Sequence, residues 1–118
     1  MAQVKQFDDW FEVTDTGVVY SLPRVINGRR YTGKKLTPRD SGRGLQVHCR
    51  LSTGEDKYLA VDRLVYSTFS GKKLKESDTI IHIDGDYTNN NFSNLALADK
   101  INNESGKFVY RIKPIFDE

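Results

Sequence analysis

The sequence predicts an α+β fold, in which small antiparallel β-hairpins and a sheet are followed by a compact core of strands and helix. Three observations predict it: short apolar runs separated by turn residues such as Asn27-Gly28, strict alternation over residues 44–52, and a change to helical spacing after Val61. With 118 residues, of which 37% are hydrophobic and 29% charged, the chain has the size of one ordinary domain.

The first half of the chain is predicted to be a series of short strands. Gly17 lies in an Asp-Thr-Gly turn and supplies a positive φ, and Asn27-Gly28 is a strong two-residue hairpin signal. Val47 and Cys49 fall on the apolar face of the alternating strand. Strands are predicted within 10–21, 25–31, 35–38, 44–52 and 57–60.

The second half combines helical and extended patterns. Apolar residues at i, i+3, i+4, i+7 and i+8 from Val61 to Phe69 predict a helix that Gly71 ends. Residues 79–83 predict a short apolar strand. Apolar positions after Leu95 predict a second helix over 99–104, and the tail 107–116 alternates like an edge strand.

The sequence contains no signal for secretion or for membrane insertion. The N-terminus lacks an apolar signal region, no run approaches a membrane span, and the single cysteine, Cys49, has no internal disulfide partner. We therefore expect a cytoplasmic protein with no membrane partner.

Eight basic residues and one acid, Asp40, give residues 24–50 a net charge of +7, which favours binding of a polyanion over a merely solvated surface. The basic residues are Arg24, Arg29, Arg30, Lys34, Lys35, Arg39, Arg43 and Arg50.

The segment IIHIDGDYTNNNFSNL, residues 80–95, places one histidine, His82, before an Asp-Gly turn and a cluster of asparagines. A histidine held by amide side chains can move a proton near neutral pH, as phosphodiester cleavage requires. A histidine that merely bridges a turn and a helix is the alternative. Asp84 is expected to stabilise the turn rather than bind metal, and Asn89 to Asn91 to satisfy the loop backbone.

Residues 80–103 resemble the core of the HNH (His-Asn-His) nucleases of the homing-endonuclease type common in phages. Residues 61–69 resemble the helix that precedes this motif in the family, and residues 10–24 resemble a small module often found in front of it. The positions that carry the resemblance are Ile80, Ile81, His82, Ile83, Asp84, Gly85, Asp86, Asn89-Asn90, Asn94-Leu95 and Asn103.

The resemblance implies a ββα-metal core of the His-Me finger type over residues 57–118, preceded by a basic, β-rich nuclease-associated segment over 1–56 within one compact domain. It implies that His82 is the general base and that Asn94 holds the imidazole by a hydrogen bond. It also implies that Asn103 is a ligand to one Mg²⁺ or Mn²⁺ ion, which would stabilise the developing charge.

Ile81 departs from the family pattern, in which a residue able to bind metal usually precedes the histidine. An apolar side chain cannot coordinate a hard cation, so the implied metal site lacks a charged ligand at this position. Two interpretations remain open. In the first, the protein is a metal-dependent endonuclease whose basic segment grips DNA phosphates.

In the second interpretation, the scaffold is catalytically inactive and binds a partner. It would then act as an anti-defence inhibitor encoded by a phage and working in the host cytoplasm, or as a sponge for a phosphorylated nucleotide signal. The motivating features are Ile81 and the compact basic segment. This interpretation favours a homodimer, because a small domain forms a deep pocket most readily at a subunit interface.

Overall fold

A computed structural model describes residues 3–102 and 108–113 of the protein. Within them, antiparallel strands form four small sheets, with strand orders β1-β2-β3-β6, β4-β5, β7-β8-β9 and β10-β11-β12. The α+β class is therefore confirmed. The elements are β1 Val4–Asp8, β2 Phe11–Thr14, β3 Val19–Ser21, β4 Arg24–Ile26, β5 Arg29–Tyr31, β6 Lys34–Lys35, β7 Arg39–Asp40, β8 Leu45–Arg50, β9 Asp56–Ala60, α1 Val61–Ser70, β10 Thr79–His82, β11 Leu95–Asn102 and β12 Phe108–Lys113.

The turns that the sequence predicts in the first half are present. Gly17 has φ 95° in the turn between β2 and β3. Asn27 and Gly28 have φ 52° and 78°, so both central residues of the β4-β5 hairpin are left-handed, as a two-residue hairpin of this type requires. In β8, Val47 and Cys49 are buried and His48 is exposed, which confirms the predicted alternation.

The predicted helix is α1, and its end is the one that the sequence indicates. Val61, Val65 and Tyr66 are its buried residues. Gly71 adopts the left-handed conformation at φ 73°, and its amide donates to the Ser67 carbonyl at 3.1 Å, which closes the last turn. The apolar face of α1 packs on strands β1, β2, β8 and β9 and on the β10-β11 hairpin.

The prediction of a second helix is wrong. Instead of a second helix over 99–104, residues up to Asn102 continue β11, which pairs with β10 on one side and β12 on the other. Leu95 to Ala98 are all buried, because the central strand of this sheet is covered on both faces. A continuous apolar run of this kind cannot be told from a buried helix by periodicity alone. The predicted edge strand is confirmed as β12, whereas Asn103 lies outside the described residues.

A single group of buried side chains joins the two halves of the chain. It includes Phe11 and Val13 from β2, Val47 from β8, Val65 from α1 and Leu97 from β11. The hairpin that carries His82 is therefore built on the same core as the basic segment. Among the described residues, no helix is long and apolar enough to cross a membrane.

Candidate functional site

His82 is the last residue of β10, where the strand runs into a connecting loop. It lies opposite Leu95 in the β10-β11 ladder, and the pairing continues through the Ile83 amide, which donates to the Asn94 carbonyl at 2.8 Å. The Gly85 amide then donates to the His82 carbonyl at 2.9 Å, with Gly85 at φ 79°. The backbone around the imidazole is thus fixed on both sides by hydrogen bonds.

Asn90 holds the imidazole of His82. Its Oδ1 lies 2.8 Å from the ring Nε2, and the residue is only 3% exposed. An amide oxygen can only accept, so Nε2 carries the proton that it donates. In the neutral ring, Nδ1 is then the nitrogen with the free lone pair, and it is the atom able to take a proton from water or substrate.

Asn94, which was predicted to orient His82, has a different set of partners. Its Oδ1 accepts from the Asp84 amide at 3.1 Å, and its Nδ2 donates to Asp84 Oδ1 at 3.0 Å and to the Asn89 carbonyl at 2.9 Å. Both ends of the amide are used inside the loop. The orienting contact predicted for Asn94 is therefore made by Asn90, and Asn94 braces the loop that presents it.

Asp84 acts as the turn residue that the sequence indicates. Its carboxylate accepts from the Asn89 side chain at 2.8 Å, from the Asp86 amide at 2.8 Å and from the Asn94 side chain. These hydrogen bonds, led by that from Asn89, lower the pKa of the Asp84 carboxyl below its ordinary value. The loop is stabilised in the form in which Asp84 is ionised.

The described residues around His82 do not fit a divalent cation. Ile81 is half-buried and apolar, and the three donors that surround Asp84 leave its carboxylate committed to the turn. Within residues 3–102, no group of three histidine, cysteine or acidic side chains is placed to share an ion. Mg²⁺ prefers several oxygen ligands, of which at least one is usually anionic. The role of Asn103 as a ligand stays a prediction.

The N-terminal sheet supports the loop that carries Asn90. The Phe92 amide donates to the Asp15 carbonyl at 2.7 Å, and Phe92 packs against Tyr66 and Phe69 of α1 with ring centroids 5.9 and 6.0 Å away. Gly17 approaches Asn90 so closely that a Cβ there would lie 2.9 Å from the Asn90 Cβ. The position of the His82–Asn90 pair therefore depends on residues that are far away in sequence.

The comparisons with known proteins identify the architecture. No known family profile matches the sequence, and no curated protein matches it either. Among solved structures, the chain is similar to the HNH homing endonuclease I-HmuI, with a TM-score of 0.57 and 25% sequence identity over 79% of this chain. The protein has an HNH-like fold.

The match spans half of the I-HmuI chain, whose structure was described as DNA binding and cleavage by that enzyme. The HNH-like fold is thus confirmed over most of this protein. The ββα-metal arrangement is not directly visible, because β11 and β12 continue the sheet through Asn102 and from Phe108 to Lys113. The predicted N-terminal module also stays a prediction.

On the HNH-like fold, seven of the eight predicted phosphate-binding residues have exposed side chains. Arg39 lies 3.8 Å from the centre of the Tyr58 ring, and its guanidinium donates to Gln46 Oε1. Arg24 differs from the rest, because it is half-buried with its guanidinium 4.9 Å from the Trp10 ring. The exposed residues are Arg29, Arg30, Lys34, Lys35, Arg39, Arg43 and Arg50.

Asp40, the lone acid of the basic segment, connects that segment to the His82 loop. The Tyr87 hydroxyl donates to its carboxylate, at 2.7 Å from Oδ2 and 3.0 Å from Oδ1. Hydrogen bonds from the Gly42 amide and from Tyr87 lower the pKa of Asp40, and the contact with Asp40 raises the pKa of Tyr87. The contact brings residues 47 positions apart together, so the basic strands and the site lie on connected surfaces.

Proposed function

We propose that the protein binds double-stranded DNA through its basic segment, on an HNH scaffold that presents His82 to the phosphodiester backbone. The observation that carries this proposal is the structural match to an HNH homing endonuclease whose structure describes DNA binding and cleavage. The His82–Asn90 pair and the separated positive charge support it. Because phosphate contacts carry no sequence information, this part of the binding is expected to be largely independent of DNA sequence.

The exposed cations are suited to contacting phosphates. Lys34 and Lys35 form the exposed strand β6, Arg29 and Arg30 lie on the neighbouring hairpin, and Arg43 lies in the turn before β8. Lysine and arginine side chains that neutralise phosphates release bound counterions, so affinity falls as salt rises. A protein that uses this surface has a steep salt dependence.

The binding proposal is tested with a fluorescently labelled duplex titrated at several salt concentrations. The double variant Lys34→Gln/Lys35→Gln should weaken binding and reduce the slope of log affinity against log salt by about 2, since each phosphate contact contributes about 0.9. The matched control is Lys73→Gln/Lys75→Gln, which removes two exposed lysines outside the basic segment. Equal slopes for the two variants would count against the assigned surface.

Cleavage is the second part of the proposal, and it depends on His82. With Nε2–H held by Asn90, Nδ1 can accept a proton from the attacking water. Mg²⁺ or Mn²⁺ is the cofactor that the family resemblance implies, but among the described residues no group of three histidine, cysteine or acidic side chains is placed to share such an ion. We therefore expect DNA binding to be retained while strand cleavage is weak.

A catalytically inactive HNH-derived binder is the second candidate function. Two observations favour it: Ile81 stands where a metal ligand is expected, and Asp84 is used inside its own loop. Supercoiled plasmid incubated with Mg²⁺ or Mn²⁺ separates the candidates. Nicking by the wild type that His82→Ala abolishes supports the endonuclease, whereas duplex binding without nicking supports the binder.

A further inference from the structure

A pocket with a volume of about 410 Å³ lies away from His82, between the start of β2, the β4-β5 hairpin and the end of β8. Two aromatic residues, Trp10 and Tyr31, and two arginines, Arg24 and Arg50, line it, together with the apolar Leu51. No acidic side chain lines it, and none of its lining residues belongs to the segment 79–95. Its size falls within the range of small-molecule sites.

The Arg24 guanidinium lies close to aromatic rings and keeps one donor unused. Its Cζ lies 4.9 Å from the Trp10 ring centre and 5.5 Å from that of Tyr31, and its Nη1 donates to the Leu22 carbonyl. Its Nε is buried, with no hydrogen-bond partner in the described part of the chain. Buried N–H groups are nearly always paired, so the Arg24 guanidinium has hydrogen-bonding capacity that the described residues leave unused.

Arg50 supplies a second guanidinium to the same pocket. Its side chain is exposed, and no ion pair of Arg50 occurs within residues 3–102. Guanidinium groups bind phosphate oxygens through two parallel hydrogen bonds, and they also stack on flat rings. The pocket therefore offers donors for an anion and aromatic faces for a flat ring.

We propose that this pocket binds one nucleoside monophosphate unit, with its base against Trp10 and Tyr31 and its phosphate on the guanidinium groups of Arg50 and Arg24. Stacking of a base on an aromatic side chain is worth about 1–3 kcal/mol and tolerates any base. The unit is either a free nucleotide or an unpaired nucleotide of a DNA strand. The second source rests on the proposed DNA binding, whereas the first does not.

The only tryptophan of the chain, Trp10, lines the pocket, so its intrinsic fluorescence reports directly on occupancy. Deoxynucleoside monophosphates, deoxynucleosides, inorganic phosphate, a single-stranded oligonucleotide and a fully paired duplex are titrated separately. We expect saturable quenching by the monophosphates and the single strand. Deoxynucleosides should bind more weakly, and inorganic phosphate should cause little quenching. Tighter binding of the free monophosphate identifies the free nucleotide as the source, and tighter binding of the strand identifies the unpaired nucleotide.

Matched variants test whether the pocket is responsible. Arg50→Gln should lower the affinity measured by quenching about tenfold or more, since a charge-assisted hydrogen bond contributes about 1.5–3 kcal/mol. The control Lys73→Gln removes an exposed cation outside both the pocket and the basic segment, and it should leave the affinity unchanged. Tyr31→Ala removes a 37% exposed ring that is not part of the core and should also weaken binding.

Two results would overturn the assignment: no saturable quenching by monophosphates or single strand, or equal effects of Arg50→Gln and Lys73→Gln on the affinity. Binding of the labelled duplex, measured by anisotropy, is followed in parallel. Duplex binding without quenching removes the pocket assignment and leaves the proposed function intact. Quenching by free monophosphates without duplex binding supports the pocket assignment and counts against the proposed DNA binding.

Discussion

Gly17 and Asn90 are in contact across the interface between the N-terminal sheet and the His82 loop, and the contact has no room for a side chain at Gly17. A Cβ on Gly17 would lie 2.9 Å from the Asn90 Cβ. The amide oxygen of Asn90 is in turn 2.8 Å from His82 Nε2. A turn predicted only from its backbone requirement thus also fixes the position of the group that orients the imidazole.

Gly17→Ala should therefore destabilise the protein and disturb His82. The positive φ and the close contact together are expected to lower the free energy of unfolding by about 1–3 kcal/mol. The matched control is Gly28→Ala, because Gly28 also has a positive φ but has open space around it. Denaturant unfolding and the His82 ring resonances should both change more in Gly17→Ala. Equal behaviour of the two variants would show that the contact with Asn90 is unimportant.

Asn90→Ala and Asn94→Ala should have different effects on His82. Asn90→Ala removes the acceptor of Nε2–H, so the preference for that tautomer should be lost, and the unfolding free energy should fall by about 1–3 kcal/mol. Asn94→Ala should loosen the loop through Asp84 and leave the tautomer unchanged. Nitrogen-detected NMR of the imidazole measures this in a His48→Gln background, since the chain has two histidines. A tautomer change caused by Asn94→Ala alone would contradict the assignment.

Ile81→Asp should increase metal binding and strand nicking, because it supplies an additional anionic oxygen beside His82, where the Asp84 carboxylate is used inside its own loop. We expect an increase in Mn²⁺ affinity of about tenfold or more. The control Ile83→Asp places the same charge one residue beyond His82, on a side chain that is 59% exposed. Calorimetric Mn²⁺ titration and plasmid nicking compare the two variants. If Ile81→Asp binds Mn²⁺ no better than Ile83→Asp does, position 81 is not a metal-ligand position.

Asp8 should make stability depend on acid pH. Burial alone would raise the pKa of its carboxyl, but hydrogen bonds from the Ser52 and Trp10 amides and the Ser52 hydroxyl outweigh burial and lower it below 3.8. The stabilisation is therefore complete above that pH and is lost as the pH falls through the lowered pKa.

The stability difference between wild type and Asp8→Asn should accordingly be largest near neutral pH and shrink below about pH 4. Urea unfolding at a series of pH values measures it. Asp9→Asn, which removes an exposed neighbouring carboxylate, reports the general effect of a lost charge. A difference for Asp8→Asn that stays constant down to pH 2 would contradict the stabilising role of the ionised carboxylate.

Local signals predicted most of the fold correctly. The turns at Gly17 and Asn27-Gly28, the alternation of β8 and the helix ended by Gly71 all depend on neighbouring residues, so their patterns are visible in the sequence. The second helix was wrong because Leu95 to Ala98 form a central strand that is buried on both faces. Pairing with β10 and β12 makes this strand central, and α1 packs against it. No local pattern reveals these contacts.

The sequence did not reveal which asparagine contacts His82. The sequence shows several asparagines after His82, and nothing in their spacing separates the buried Asn90 from the loop-bracing Asn94. Burial of Asn90 depends on the approach of Gly17, which comes from the other half of the chain. The half-burial of Arg24 could not be predicted either, because its stacking on Trp10 is a tertiary contact.

The hydrogen bond from Tyr87 to Asp40 bears on how this motif could be transplanted. A graft of residues 80–95 onto another scaffold would leave behind Asp40, the Asp15 carbonyl and the space at Gly17, all of which position the loop. The segment that defines the motif is therefore not expected to keep its structure on another scaffold. A chimera would have to exchange the whole N-terminal half with it, and the two halves are expected to change together in evolution.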